Sequence, residues 1–119
     1  MQRVDEDDLD WDDDNLPTHH GEPFTGESVE YGRDGVLLSL ATYVDGRDDG
    51  PFKAWTNAGV LVVDGQSRNG VPVGTQREFY DNGAPKVERE YSDKGELLRL
   101  KRWDENGVVT TDETYQPTW

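Results

Sequence analysis

Few residues of this chain have side chains suited to covalent or metal chemistry. The 119-residue sequence contains no cysteine, and its two histidines, His19 and His20, are adjacent. Neighbouring residues of one strand point to opposite faces, so these two imidazoles are poorly placed to hold one metal ion. Covalent catalysis needs a nucleophile, a base and an orienting group, and the sequence offers little from which to build them. We therefore expect no catalytic residue, no metal site and no cofactor.

Aspartates at alternate positions, Asp8, Asp10 and Asp12, resemble the start of a calcium-binding loop. Such a loop needs glycine at its sixth position and glutamate at its twelfth. This chain has Asp13 and His19 at those positions. The aspartates therefore favour weak, nonspecific binding of divalent cations rather than a dedicated calcium site.

Negative charge is concentrated at the start of the chain. The whole sequence carries 26 acidic and 12 basic residues, a net charge of −14, and residues 1–22 hold nine of the acids against one arginine, a net of −8. Such a run is typical of a solvated, disordered tail. Alternatively, acids spaced by large apolar residues can dock on a basic protein and bury an aromatic anchor there. The second interpretation predicts a partner-binding set, namely Asp7, Asp8, Asp10, Trp11, Asp12, Asp13 and Asp14.

The composition also disfavours several kinds of partner and location. Nucleic acid and anionic lipid would both be repelled by so negative a chain. No apolar run approaches the ~20 residues that span a bilayer, and the first residues are acidic rather than a basic and apolar leader. We therefore expect a cytoplasmic protein that does not bind nucleic acid or membranes directly.

Beyond residue 22 the sequence repeats. Tyr31, Trp55, Phe79 and Trp103 recur at equal intervals, and each is followed by a glycine at the fourth position after it. Halving this period adds three tyrosines, so that aromatic residues fill seven of eight equally spaced positions. We expect a structural role for these repeat positions, namely Tyr31, Gly35, Tyr43, Trp55, Gly59, Phe79, Gly83, Tyr91, Trp103 and Gly107.

Each half-period unit predicts one strand and one turn. Asp-Gly and Asn-Gly pairs, which suit tight turns with positive φ, separate runs of about five to eight residues rich in Val, Leu, Thr and aromatics. Strands joined by such short turns are antiparallel neighbours. The predicted fold class is all-β: a single curved antiparallel β-meander of about eight strands, built from hairpin repeats of about 24 residues over residues 23–119. An acidic arm, residues 1–22, precedes it.

Alternation along each strand predicts which side chains share a face. All the repeat aromatics are expected on one face, and mostly polar or charged side chains on the other. Several aliphatic residues interrupt the polar face. Either the N-terminal segment or a second subunit covers them, or they form a second partner-binding patch, for which the candidates are Leu38, Leu40, Val62, Leu98 and Leu100.

The repeat units resemble a known family. The units Y-G-R-D-G, W-T-N-A-G, F-Y-D-N-G and W-D-E-N-G, each followed by a short strand, resemble MORN-type repeats. The stretches from Pro23 to Gly35 and from Gly70 to Gly83 are similar to the bacterial YwqK-like antitoxin subclass, and the likeness covers about residues 21–110. This resemblance implies a curved sheet of hairpins and a role as an antitoxin or immunity protein, and it implies no catalytic residues.

One feature of the sequence departs from a regular repeat. The paired glycines Gly46/Gly50 and Gly70/Gly74 have no third copy, because Lys94 and Leu98 stand where the period expects glycine. We therefore expect the third turn of this series to differ from the first two.

These patterns favour a non-catalytic protein that binds and blocks a cognate toxin with a basic cleft. Two alternatives remain open. One is a MORN-type scaffold or adaptor. The other is an accessory protein, either a small enzyme or a binding module, of a peptide or secondary-metabolite pathway. The last alternative requires a substrate-sized pocket with convergent polar groups.

Overall fold

The computed structural model describes residues 2–116, so Met1 and residues 117–119, the ends of the two predicted segments, lie outside the described part. Among the described residues, regular structure consists of strands and one 3₁₀ turn, Glu6–Asp8, and no helix is long and apolar enough to cross a membrane. This confirms the all-β class. The strands are β1 (Arg3–Asp5), β2 (Asp10–Trp11), β3 (Pro17–His19), β4 (Glu22–Pro23), β5 (Gly26–Tyr31), β6 (Leu37–Val44), β7 (Arg47–Asp48), β8 (Gly50–Trp55), β9 (Leu61–Arg68), β10 (Val71–Phe79), β11 (Pro85–Tyr91), β12 (Leu97–Trp103) and β13 (Val109–Thr114).

The main sheet has ten strands, more than the predicted number of about eight. Its core is the expected antiparallel meander, in the order β5-β6-β8-β9-β10-β11-β12-β13. The two additional strands are short: β7 pairs with β6, and β1 runs parallel to β5 at the edge. The sheet is therefore mixed rather than purely antiparallel. A separate sheet of three strands, in the order β2-β3-β4, accompanies it.

The acidic segment is folded against the first edge of the main sheet, in contrast to the detached tail that its composition suggests. β1 lies beside β5 with Arg3 opposite Glu27, and their side chains form an ion pair at 3.0 Å. The backbone amide of Gly46 donates to the carbonyl of Phe24 at 2.8 Å, which ties the segment to the turn between β6 and β7. The arm and the repeats are therefore joined by backbone pairing.

A small apolar cluster explains why the segment folds. Val4, Leu9 and Phe24 are buried together, and Tyr43 of the main sheet packs against them. The centroids of the Phe24 and Tyr43 rings are 6.1 Å apart, and burial raises the pKa of Tyr43. At Gly26, a Cβ atom would lie 2.4 Å from the backbone oxygen of Gln2, so this close approach requires glycine. Burial of these few side chains outweighs the tendency of the acidic run to remain solvated.

Two kinds of turn connect the meander. Five-residue turns begin at Gly32, Thr56, Tyr80 and Asp104: the first amide donates to the fifth carbonyl, and the fourth amide donates to the first carbonyl. Their fourth residues are the repeat glycines, all with φ between 76° and 86°. Because one such turn follows every second strand of the meander, all four lie at one end of the sheet, which we call the long-turn end.

The opposite end of the sheet shows the expected irregularity. Asp45–Gly46 and Asn69–Gly70 each combine two positive φ values, the geometry of a tight two-residue hairpin turn. The third connection is instead a five-residue turn from Ser92 to Glu96. Ser92 Oγ accepts hydrogen bonds from the amides of Lys94 and Glu96, both at 3.2 Å. A side-chain acceptor thus takes over where the glycine pair is missing, which confirms the prediction that this turn differs.

The repeat aromatics do not all share one face, and this prediction is wrong. Away from the bulges, every pair of facing residues in the meander combines an odd and an even number, as in Gly26 with Tyr43 and Gly74 with Tyr91. Facing residues lie on the same side, so a step of half a period changes the face and a step of a whole period keeps it. We call face A the side that carries Leu40. Face A holds Tyr31, Trp55, Phe79 and Trp103, and face B holds Tyr43, Tyr91 and Tyr115.

Trp103 is half-buried on face A, which sets the expected effect of removing it. Lys101 Nζ lies 5.1 Å from the centroid of its ring. The backbone carbonyl of Trp103 accepts a hydrogen bond from Tyr80 Oη at 2.9 Å. Trp103→Ala keeps this carbonyl and therefore keeps the hydrogen bond. We expect Trp103→Ala to lower the free energy of unfolding by about 1–2 kcal/mol, less than for a fully buried ring. Urea unfolding measures it, and a loss above ~3 kcal/mol would contradict the half-buried position.

Candidate functional site

Most of the predicted acidic partner-binding set lies on a β-hairpin formed by β2 and β3, residues 10–19, which we call the acidic hairpin. Asp10 and Trp11 form β2, and the chain then turns back into β3 through Asp12–Leu16. The amide of Asp12 donates to the carbonyl of Leu16, and the amide of Asn15 donates to the carbonyl of Asp12, both at 2.9 Å. Asp12 Oδ1 accepts from the amides of Asp14 and Leu16, also at 2.9 Å. This carboxylate therefore has a structural role inside its own turn.

The same turn occurs at the far end of the chain. Asp104 begins a five-residue turn, and its Oδ1 accepts from the amides of Asn106 at 2.8 Å and Val108 at 3.0 Å. Asn15 takes the place of the fourth-position glycine with a φ of 62°, which asparagine tolerates better than most residues. The signal was present in the sequence, since D-D-D-N-L at residues 12–16 matches D-E-N-G-V at residues 104–108. Sequence reasoning treated Asp12 as a partner contact and missed this role.

The other acids of the predicted partner-binding set and Trp11 face solvent. The Trp11 side chain is 45% exposed. Asp7 and Asp8 are exposed in the 3₁₀ turn, and Asp13 and Asp14 are exposed at the tip of the hairpin. The structure therefore places an exposed aromatic ring and exposed carboxylates on one hairpin with a fixed backbone, in which Asp10 precedes Trp11 along β2.

Charges on the main sheet are arranged differently. The four ion pairs found within residues 2–116 all join neighbouring strands of the main sheet: Arg3–Glu27, Arg77–Glu88, Arg89–Glu78 and Arg99–Asp112. In the last of them, hydrogen bonds from Arg99 hold the pKa of Asp112 below its ordinary value. None of the exposed acids from Asp7 to Asp14 has such a cation partner in the described part of the chain. Their field is available to another molecule.

The predicted apolar patch is divided between two faces, so these residues do not form one surface. Leu38, Leu40 and Val62 lie on face A, whereas Leu98 and Leu100 lie on face B. The reason is again the register, because even-numbered residues are on face A in β6 and β9 and on face B in β12. All five side chains are half-buried. The face A members share their side with Tyr31, Trp55, Phe79 and Trp103, and Leu98 and Leu100 share theirs with Tyr43, Tyr91 and Tyr115.

Grooves at the long-turn end form a feature that sequence reasoning missed. A groove of about 590 Å³ lies between the turns that begin at Tyr80 and Asp104. A second groove, about 400 Å³, lies between the turns that begin at Gly32 and Thr56. The two are equivalent positions two repeats apart, since Lys86 lines the first where Leu38 lines the second. In the first groove, Lys86 Nζ lies 5.5 Å from the centroid of the Tyr80 ring.

The two histidines occupy a hairpin turn. His20 and Gly21 both have positive φ, 54° and 82°, and connect β3 to β4. The centroid of the His19 ring lies 4.0 Å from that of His20, and the ring meets the edge of Phe24 at 5.9 Å. Within residues 2–116, no group of three or more histidine and carboxylate side chains is arranged to hold a metal ion. The positive φ values of this two-residue turn account for the pair His20–Gly21.

Comparison with known proteins concerns one hairpin. A family model described as a MORN repeat variant matches residues 72–93. These residues include most of β10, the turn that begins at Tyr80, all of β11 and the start of the next turn. One hairpin of this sheet is a MORN repeat variant. No curated protein and no solved structure matches the chain.

The MORN repeat hairpin has the same turn as its neighbours in the sheet. The turns at Gly32, Thr56 and Asp104 have the hydrogen-bond pattern of the turn at Tyr80, with glycine at the fourth position. Its own ion pairs, Arg77–Glu88 and Arg89–Glu78, lie on opposite faces of the hairpin. One of the two grooves opens beside its turn.

Proposed function

We propose that this protein is a non-catalytic, antitoxin- or immunity-type protein that binds and blocks a cognate toxin through its acidic hairpin. The observation that carries the proposal is the exposed Trp11 ring on β2 of an ordered hairpin whose tip carries the exposed carboxylates of Asp13 and Asp14, neither of which has a cation partner in the described part of the chain. Large aromatic side chains are the commonest anchors of protein interfaces. Acids around such an anchor select a basic partner and favour the correct orientation of approach.

Order in the acidic segment strengthens this proposal. A disordered tail loses conformational freedom when it binds, and this cost reduces its affinity for a given contact area. Here the hydrogen bonds of the Asp12 turn and the cluster around Phe24 fix the backbone before any partner arrives. Trp11 therefore needs to immobilise only its own side chain on binding.

The charge distribution supports a basic protein cleft as the target. Residues 1–22 carry −8 of the net −14. A toxin domain that acts on nucleic acid or nucleotides has a basic substrate cleft, and an acidic protein can cover it. The same field repels nucleic acid and anionic lipid, which supports a cytoplasmic protein that contacts neither directly.

The repeat architecture is compatible with this role. The MORN repeat variant at residues 72–93 supports a scaffold of hairpins. The likeness of the longer stretches to YwqK-like antitoxins supports the choice of an antitoxin over a general adaptor. In this proposal the main sheet is the support on which the acidic hairpin is presented.

Co-expression is the direct test of the proposed function. A basic toxin domain encoded by the gene next to that of this protein would be expressed in a bacterial host with and without this chain. We expect growth arrest by the toxin alone, rescue by the wild-type chain, and a 1:1 complex on gel filtration. Rescue without a complex, or a complex without rescue, would contradict a blocking role.

Removing the proposed anchor should weaken binding without weakening the fold. Because the Trp11 ring is exposed, Trp11→Ala should leave the unfolding temperature unchanged and lower affinity for the toxin by about 1–2 kcal/mol, about 5- to 30-fold. Calorimetric titration measures the affinity. Tyr31→Ala is a matched control, since Tyr31 is 46% exposed and Trp11 is 45% exposed. Equal losses of affinity in both variants, or no loss in Trp11→Ala, would indicate that the acidic segment serves only solubility.

The groove beside the MORN repeat hairpin favours a second candidate function. Its volume and its polar lining by Asp81, Asn82, Lys86, Glu105 and Asn106 suit a small polar ligand, as an accessory binding module of a biosynthetic pathway requires. Lys86→Ala should then abolish binding of a carboxylate-bearing metabolite while toxin binding persists. Screening by thermal shift against such metabolites distinguishes this function from the first.

A further inference from the structure

The two edges of the main sheet differ in how they are covered. At the first edge, β1 and the three-stranded sheet of the acidic segment accompany β5. At the last edge, β13 pairs with β12 alone among the strands of residues 2–116. An uncovered edge strand presents free amides and carbonyls that can pair with another strand.

Exposed apolar side chains are concentrated at the uncovered edge. Val108, Val109 and Tyr115 are 58%, 45% and 38% exposed, and all three lie on β13 or directly beside it. A strand placed against β13 would cover part of each of them. The edge therefore offers apolar contact in addition to backbone hydrogen bonds.

The hydrogen-bond phase of β13 fixes which residues point outward. The amide of Tyr115 donates inward to the carbonyl of Leu98 at 2.8 Å. Because the bonding direction alternates along a regular antiparallel strand, the backbone groups of residues 111 and 113 also point toward β12, and those of Asp112 and Thr114 point outward. Thr110 is the extra residue of a bulge, since Thr111 pairs with Arg102 and Val109 pairs with Trp103. Because the amide of Thr111 points toward β12, the carbonyl of Thr110 points outward.

We propose that β13 pairs antiparallel with β13 of a second copy of this chain, with Thr111 opposite Thr111 at the two-fold axis. A two-fold axis perpendicular to the sheet keeps each residue on its own face, so facing residues must both be odd or both be even. Only Thr111 or Asp112 lies close enough to the middle of β13 to serve as the centre. A centre at Asp112 would place two carboxylates opposite each other, which destabilises a strand pair.

The Thr111 register also uses the outward backbone groups. It places Asp112 opposite Thr110 of the other copy, so that the outward amide of Asp112 can donate to the outward carbonyl of Thr110, and the two-fold axis repeats this bond. No two acids of β13 are directly opposed. The side chain of Asp112 stays paired with Arg99 of its own chain.

The distribution of charge favours a second copy over a separate strand from a basic protein. Residues 2–69 contain 16 acids and five bases, a net of −11, whereas residues 70–116 contain ten acids and seven bases, a net of −3. Joining two chains at β13 brings their weakly charged halves together. It leaves the two acidic hairpins at the outer edges, each available to its own toxin molecule.

Sedimentation velocity of the full chain and a single-cysteine pair test the proposal. We expect a concentration-dependent dimer. Since the sequence has no cysteine, Thr111→Cys introduces one thiol at the axis, where the two Cα atoms should be about 4.5 Å apart, within disulfide range. Mild oxidation should cross-link it rapidly. Val109→Cys is the matched control, because its two copies would be about 14 Å apart.

A charge at the axis gives an independent check. Thr111→Glu places a carboxylate opposite Arg102 of its own chain, which favours the fold, and opposite its own copy across the axis, which opposes the dimer. The dimer dissociation constant should rise at least ~10-fold, whereas Thr111→Val should leave it unchanged. A wild-type monomer at all concentrations, equal cross-linking of both cysteine variants, or an unchanged dimer with Thr111→Glu would each overturn the proposal.

Discussion

Phe24→Ala should lower the free energy of unfolding of the acidic segment by about 3–5 kcal/mol, the usual cost of deleting a fully buried aromatic ring. Phe24 is 2% exposed and forms the centre of the cluster with Val4 and Leu9. Within residues 3–23 the buried apolar side chains are Val4, Leu9 and Pro17, and the first two pack on Phe24, so this loss should release the segment and leave the meander folded. The carboxylates and Trp11 remain in the chain but lose their fixed arrangement.

Hydrogen exchange gives the measurement for this variant. The amide of Gly46, which donates to the carbonyl of Phe24, and the amide of Glu27, which donates to Gln2 at 2.7 Å, should exchange rapidly in Phe24→Ala. Phe79→Ala is the control, since Phe79 is half-buried on face A and its loss should leave both amides protected. Unchanged exchange at Gly46 and Glu27 in Phe24→Ala would show that the cluster does not hold the segment.

The association rate with a basic toxin should fall about 10- to 1,000-fold between low and high salt. Exposed charges separated by more than a Debye length are screened at ~0.15 M salt, where that length is about 8 Å. The acids at the tip of the hairpin have no cation partner in the described structure, so their field extends into solvent and should steer the encounter. Stopped-flow fluorescence of the complex over a salt series measures the rate constants.

Charge-neutral variants locate the steering. Asp13→Asn with Asp14→Asn removes two charges from the hairpin tip without touching the Asp12 carboxylate that closes the turn. Asp81→Asn with Asp93→Asn removes the same charge from two exposed turns of the main sheet. We expect the first pair to slow association and flatten the salt dependence more than the second. Equal effects would assign steering to net charge alone, and no salt dependence would exclude it.

The strands and turns of the meander could be predicted because their signals are local. The Asp-Gly and Asn-Gly pairs require positive φ, and the repeat glycines close the long turns. The missing glycines after Tyr91 even predicted the different turn at Ser92. Local signals of this kind depend on a few neighbouring residues and do not depend on the register in which the strands pair.

The faces could not be predicted because they depend on register, which the repeat period does not fix. A shift of one residue in a hairpin moves every side chain to the other side. Because facing residues combine an odd and an even number, Tyr43 and Tyr91 lie on the opposite face from Tyr31. For the same reason Leu98 lies on the opposite face from Leu38. Neither the aromatic stripe nor the apolar patch could be derived correctly without that information.

The sequence predicted which residues belong to the candidate site, but it did not predict their conformation. Composition pointed to Trp11 and its neighbouring acids, but a count of charges cannot show that Asp12 closes a turn. The fold of the segment depends on long-range contacts between Phe24 and Tyr43 and between β1 and β5. Such contacts are weakly encoded in a short, highly charged stretch.

Hydrogen exchange of the complex is the most direct test that a partner binds the folded acidic hairpin. Amide exchange of the full chain would be compared with and without the toxin that it neutralises. We expect new protection within residues 5–16, around Trp11 and the Asp12 turn, and little change at the turns beginning at Tyr80 and Asp104. Protection confined to those turns, with none in residues 5–16, would contradict the account.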